Sequence, residues 1–302
     1  MKNLILAPAF FYTAERLKPF VVSHAKAGVD AKIVFLIEKE KPEFNRFYED
    51  YPSVEVCVMP EASEFFKVRW QKVMALPLAY SWRVLHPVKT IEDALGCTGS
   101  GWPYRFLHIA LKRYLMAYRL IERQYPDIEK IMLTDTRDVF FQRDPFSYIE
   151  GGLYCGLESE SIRHSPINSQ WINKLYPEDL YESIADQPTS CSGVTFGDRE
   201  SIIRYLEWMC FETLTHFNKI CFCPGYDQGI HNKLVYAGKM PVELHFQENG
   251  VSPIVATMAA ADLNEFDLQQ DCLRTKSGDL PAVVHQYQLH PELDQMVNRL
   301  YF

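Results

Sequence analysis

The first 36 residues narrow the possible folds more than any later stretch. Asn3–Ala7 is a short apolar run. Thr13–Ala27 carries a helical pattern that starts near a threonine and ends before Gly28, and Ala31–Leu36 (AKIVFL) is a second apolar run. Short apolar runs bounded by turn residues read as buried strands. Strand, helix, strand in that order points to a parallel sheet whose crossover helices cover its faces. Ser53–Val58 (SVEVCV) offers another strand. The expectation is an α/β protein with a mostly parallel central sheet flanked by helices. With 302 residues, 47% of them hydrophobic, the chain can bury a full core, and α/β folds of this size are often one unit. A single domain over 1–302 is expected, in two halves, 1–150 and 151–302.

The start of the chain, MKNLILAPAF, imitates a secretion signal, with one lysine, an apolar run and Ala7-Pro8-Ala9. Its apolar run is short, charges follow at Glu15, Arg16 and Lys18, and the strand–helix alternation continues, so it reads as the first strand. No run approaches the roughly 18 apolar residues of a membrane span. Eight cysteines are scattered without a dense framework, and Cys221-x-Cys223 has no matching pair, so a zinc site is the minor reading and reduced thiols in a cytoplasmic protein the major one. The net charge of −8 argues against nucleic-acid binding, which needs a basic face.

Ile131–Phe146 (IMLTDTRDVFFQRDPF) carries the chemistry. An apolar run climbs to Asp135 and Asp138, with Arg137 between them, then passes through a second apolar patch to the turn signal Asp144-Pro145. Open α/β sheets bind ligands beyond the carboxyl ends of their strands. Paired carboxylates there suit a divalent cation that also holds phosphate, as Mg²⁺ usually does. The plainer reading of the same acids is a turn with surface ion pairs.

An acidic protein that handles phosphate needs its positive charge gathered locally. Tyr104–Gln124 reads as the clearest helix, with Leu107, Leu111, Tyr114, Leu115, Tyr118 and Ile121 on one face. Arg105, Lys112 and Arg119 share another face, with Arg113 and Arg123 nearby; a solvated surface is the alternative reading of each. Arg105, at the helix start, is the favoured diphosphate contact, because its fork donates bidentately to phosphate. Before it, Glu64–Met74 looks helical and 96–103 has loop character.

After the acids, Leu153–Leu157 reads as a strand, Ile167–Leu175 and Glu178–Ala185 as helices, and Thr189–Asp198 as a strand. Ser192-Gly193 there allows a ligand close to the backbone. Asp198 caps a long helix, Arg199 to about Phe217. Asp227 and Gln228 stand at a turn leading into a helix. Ala282–His285 reads as an isolated strand ending in His285, either a structural residue or a metal ligand, and a helix follows from Pro291.

Four pieces thus stand in order: DTRD, SCSGVTFG, GYDQGIHN and VVHQY. That order resembles the nucleotide-sugar-dependent glycosyltransferases of the GT-A fold, most closely the glycogenin and lipopolysaccharide-galactosyltransferase layout, over most of the chain. The resemblance implies a GT-A fold and transfer of a sugar from a nucleotide-diphosphate sugar, with a UDP-sugar favoured, to a glycan or glycoconjugate. It implies Asp135, Asp138 and His285 as ligands of Mn²⁺ or Mg²⁺, an oxygen and nitrogen set physically suited to Mn²⁺. It implies donor contacts from Ala7, Pro8, Ala9, Tyr12, Arg105, Asp135, Arg137, Ser192 and Gly193, and catalytic positions at Asp227 and Gln228. The chain departs from the family at two points. Its acids are separated by two residues, with Thr136 in the strict-spacing position, and Gln286-Tyr287 replaces the Lys-Pro-Trp stretch after the histidine.

In such a reaction negative charge grows on the leaving phosphate. A divalent cation and a preorganised arginine stabilise it. If the reaction inverts, a carboxylate deprotonates the acceptor, and Asp227 is the first choice. A sugar nucleotidyltransferase would normally carry a glycine-rich phosphate loop after the first strand; APAFFYTAER has no glycine. A binding protein that kept the fold and lost catalysis is the other alternative.

Overall fold

In the computed structural model, residues 1–59, 81, 87–98, 107–220 and 225–302 are described. A seven-stranded mixed sheet forms the centre, in the order β3-β2-β1-β4-β7-β6-β8. Its strands are β1 (Asn3–Pro8), β2 (Lys32–Ile37), β3 (Val54–Val58), β4 (Lys130–Thr134), β6 (Leu153–Ser161), β7 (Pro188–Asp198) and β8 (Leu244–Gln247). The β3-β2-β1-β4 half is parallel throughout. β7 runs antiparallel to both β4 and β6, and β8 returns parallel to β6. The parallel start expected from the first 36 residues is therefore present, and the second half of the chain adds the antiparallel pairs.

The continuous apolar runs follow from helices on both faces. Successive side chains of a strand point to opposite faces. Leu4 and Leu6 of β1 enter one core with Val34 and Leu36 of β2, while Ile5 and Ala7 enter a second core with Ile33 and Phe35. The first core is covered by α4 (Ile109–Gln124) and α7 (Arg199–Thr215), the second by α1 (Ala14–Lys26). Leu111, Tyr114, Leu115 and Ile121 of α4 are buried as the helical period predicts. Lys112, expected on a polar face, is buried as well. Two shorter helices lie before α4 among the described residues, α2 (Asn45–Asp50) and α3 (Ile91–Thr98). Gly96 thus lies in a helix, not in the expected loop. The expected helix at 64–74 and Arg105 lie outside the described residues.

Two further sheets stand apart from the central one. β12 (Val283–His285) pairs antiparallel with β5 (Val139–Phe141) and parallel with β9 (Val255–Thr257), so it is the middle strand of three and not isolated. β10 (Phe266–Gln269) and β11 (Cys272–Thr275) form a two-stranded antiparallel sheet. Under α10 (Pro291–Tyr301), Phe140, Val284, Tyr287, Leu293 and Val297 make a third core. The second apolar patch after the acids is β5 itself. The chain therefore passes from the large sheet to the small one within Asp135–Asp138. Helices α5 (Pro166–Leu175), α6 (Glu178–Ile184), α8 (Phe217–Ile220) and α9 (Tyr226–Ala237) complete the described α-helices. Asp227 and Gln228 sit in the first turn of α9. Among the described residues no helix is long and apolar enough to cross a membrane.

Candidate metal centre

The Asp135–Asp138 turn is fastened on three sides. Its Asp135 N–H donates to the Gly193 carbonyl at 2.7 Å, which holds it against β7. Thr136 Oγ1 donates to the Pro8 carbonyl at 2.8 Å, at the end of β1. From the small sheet, Gln286 N–H donates to the Asp138 carbonyl at 2.7 Å. Gln288 Nε2 donates to the Arg137 carbonyl at 3.0 Å. Gln286 itself adopts φ 60°, the left-handed region unusual for a residue with a side chain. The Gln286 N–H thus anchors Asp138 beside His285.

That anchoring brings the two sheets' polar groups together. His285 Nε2 lies 3.7 Å from Asp135 Oδ2 and 3.8 Å from Asp138 Oδ1. Ligand atoms of the three residues all fall within 4.8 Å of one another. His285 is buried, and its Nε2 has no hydrogen-bond partner. A buried polar atom without a partner is costly, and one aimed at two carboxylates fits a shared cation. Burial opposes charge on His285, but the Cys191 sulfur, Asp135 and Asp138 outweigh it and push its pKa up. For Asp135 burial is likewise outweighed, by Arg113 and then His285, and its carboxyl is held below the usual range. Asp138 is pushed up, mainly by burial, with repulsion from Asp135 added.

Gly193 is fixed by this crowding. A Cβ there would stand 2.4 Å from His285 Cε1 and 2.8 Å from Asp135 Oδ2. Gly193→Ala is expected to splay these two side chains and weaken Mn²⁺ binding by about 10–100-fold, the usual scale for disturbing a metal site's supporting shell. Titration of the free-ion Mn²⁺ paramagnetic resonance signal checks it; native affinity in the variant would remove the close-approach argument.

Arg113 of α4 is the residue whose role the sequence did not reveal. Its Nη1 pairs with Asp135, and its Nη2 donates to Asp227 Oδ2 and to Tyr114 Oη, both at 2.9 Å. The signal was present but ambiguous. Arg105, Lys112 and Arg119 share a seven-residue spacing, and Arg113 lies outside it, next to the buried Tyr114.

Of the residues expected at the donor site, Pro8, Tyr12, Asp135 and Arg137 line one cleft together with Asp138, Thr136 and Arg113, about 630 Å³ including its open mouth. Ser192 lines an adjoining slot of about 300 Å³, walled by Leu6, Leu36, Tyr114 and Leu133. Ala7 and Ala9 do not face the cleft; both are fully buried in the core beneath, because the strand's alternation turns them to the α1 side. Gln228 is a brace and not a cleft residue: its Oε1 accepts from Ser192 N–H at 2.8 Å and its Nε2 donates to the Ser190 carbonyl at 2.7 Å. Asp227 is buried, with Oδ2 committed to Arg113.

Comparison with protein-family models and with curated proteins yields no match for this chain.

Proposed function

We propose that the protein is a metal-dependent glycosyltransferase of the GT-A type, moving a sugar from a nucleotide-diphosphate sugar to a glycan or glycoconjugate acceptor. The observation that carries this reading is the convergence of Asp135 and Asp138, which line a cleft at the carboxyl end of β4, with the buried His285 behind them. Ligand sites of open α/β sheets lie at such strand ends. The three side chains would hold Mn²⁺ or Mg²⁺, which when bound supplies Lewis-acid stabilisation of a leaving diphosphate.

The rest of the cleft suits the same task. Arg113 pairs with both Asp135 and Asp227 and holds them in fixed positions, which preorganises the cleft's charge. Arg137, on the wall, is placed to face phosphate oxygens, and Tyr12 offers a ring to a nucleobase. UDP is the favoured nucleotide. A cytoplasmic location belongs to the same proposal, in keeping with the free thiols of Cys155, Cys191, Cys210 and Cys272.

The test is thermal stability against a panel of nucleoside diphosphates, each with and without Mn²⁺. A ligand at 100 times its dissociation constant stabilises the native state by about 2.7 kcal/mol. A shift with UDP that needs Mn²⁺ and disappears in Asp138→Ala is expected. No shift with any nucleotide, on folded protein, would overturn the reading.

A further inference from the structure

Behind the cation ligands lies a second layer of polar groups whose use is not explained by the cleft. His285 Nδ1, the ring nitrogen facing away from the acids, is 3.5 Å from Cys191 Sγ. The Glu158 carboxyl lies near the same thiol and interacts with it and with His285. All three are buried: His285 is 1% exposed, Cys191 4% and Glu158 8%. They come from three strands, β12, β7 and β6. The pairing of β6 with β7 is irregular on both sides of Leu157, the residue just before Glu158. Such irregularities re-aim side chains, and they recur beside functional sites.

We infer that Glu158 and Cys191 are positioning residues for His285, forming a carboxylate–thiol–imidazole relay that keeps the proton on Nδ1 and leaves Nε2 to bind the cation. The inference rests on the divalent-metal reading above. Its chemistry follows from donor and acceptor roles. A neutral imidazole carries one N–H and one lone pair, and a metal needs the lone pair. The ring must therefore donate from Nδ1, and the Cys191 sulfur is the acceptor within reach. A thiol that accepts from the ring is free to donate its own S–H, and the Glu158 carboxyl is the acceptor near it. The proton order is thus set at the far end of the relay, where the Glu158 carboxyl accepts from the thiol. Orienting partners of this kind usually act on a metal-binding histidine directly, through a carboxylate or a carbonyl. Here a thiol stands between.

The arrangement separates a positioning role from a packing role. Cys191→Ser keeps a hydroxyl that both accepts and donates, whereas Cys191→Ala keeps neither. Glu158→Leu removes the terminal acceptor at similar volume. The full-length protein and these three variants are titrated with Mn²⁺ while the free-ion paramagnetic resonance signal is followed, and each is melted without metal to establish folding. Native protein binding Mn²⁺, Cys191→Ala and Glu158→Leu binding it about 10–100-fold more weakly, and Cys191→Ser remaining close to native is the expected result. Cys191→Ala binding like native overturns the relay and leaves the metal centre standing. Serine failing as badly as alanine also overturns it, by assigning the sulfur to packing. Should Cys191→Ala not fold, Glu158→Leu decides alone: native affinity overturns the relay. Native protein that takes up no Mn²⁺ overturns the metal centre, and the relay with it.

Discussion

Arg113→Met is expected to lower the free energy of unfolding by about 3–5 kcal/mol, the cost of stripping the partner from a buried ion pair. The guanidinium serves two acids at once. Asp227 is enclosed, while Asp135 opens partly to the cleft, where water takes up some of the loss. The lower end of the range is therefore expected. Methionine retains the apolar stem, so the change reports on charge more than on packing. The variant should also respond differently to Mn²⁺. In the native protein Arg113 already neutralises Asp135; in the variant a bound cation would be its main counter-charge. Mn²⁺ should thus stabilise Arg113→Met by more than it stabilises the native chain. Urea unfolding with and without Mn²⁺ measures both effects. A variant as stable as native would show that the two acids need no partner.

Acid should destabilise the protein in part through two buried imidazoles. Burial pushes His24 down to about 4 and His231 down to about 3. In the unfolded chain a histidine takes its proton near pH 6.5. Below that value the unfolded state binds more protons than the native one, so this contribution to stability falls as the pH falls towards 4. Glu158, whose carboxyl burial pushes up to about 7, works in the opposite sense over the same window. A variant comparison isolates one histidine from that sum. His24 packs edge-on to Phe141, and its Nε2 has no hydrogen-bond partner. His24→Leu should therefore lose about 2 kcal/mol less than native between pH 7 and pH 4.5, from the shift of its own pKa. Equal losses would mean that His24 is protonated in the native state, against its burial.

Local pattern carried far into this fold, and it failed at identifiable places. β1, α1 and β2 were legible because both faces of the sheet are covered, which makes the runs apolar throughout and short. α4 was legible from its 3.6-residue period, although its first turn at His108–Ile109 depends on a cap made by the His108 side chain. β5 and β12 were harder. Three-residue strands have too little length for a period, and their pairing is set by contacts across the chain. The Asp135, Asp138 and His285 positions could be named from residue type and order. Their convergence could not, because it depends on Gln286 N–H reaching the Asp138 carbonyl. Arg113 was missed for a related reason: charge on a helix face is ambiguous until its partners are known, and Asp227 lies far along the chain. The resemblance assigned Ala7 and Ala9 to the cleft, whereas the structure buries both in the core on the α1 side.

The small sheet has a consequence for the order in which the protein becomes competent. β12 pairs with β5, a strand made well before β12 itself. A nascent chain can therefore present both acids, Arg113 and the first four strands of the central sheet while still lacking the imidazole. Domains fold as units as they emerge from synthesis. Any activity that requires all three side chains has to wait for β12. A prematurely ended chain would then be a sheet with an acidic rim and without the third of the proposed ligands.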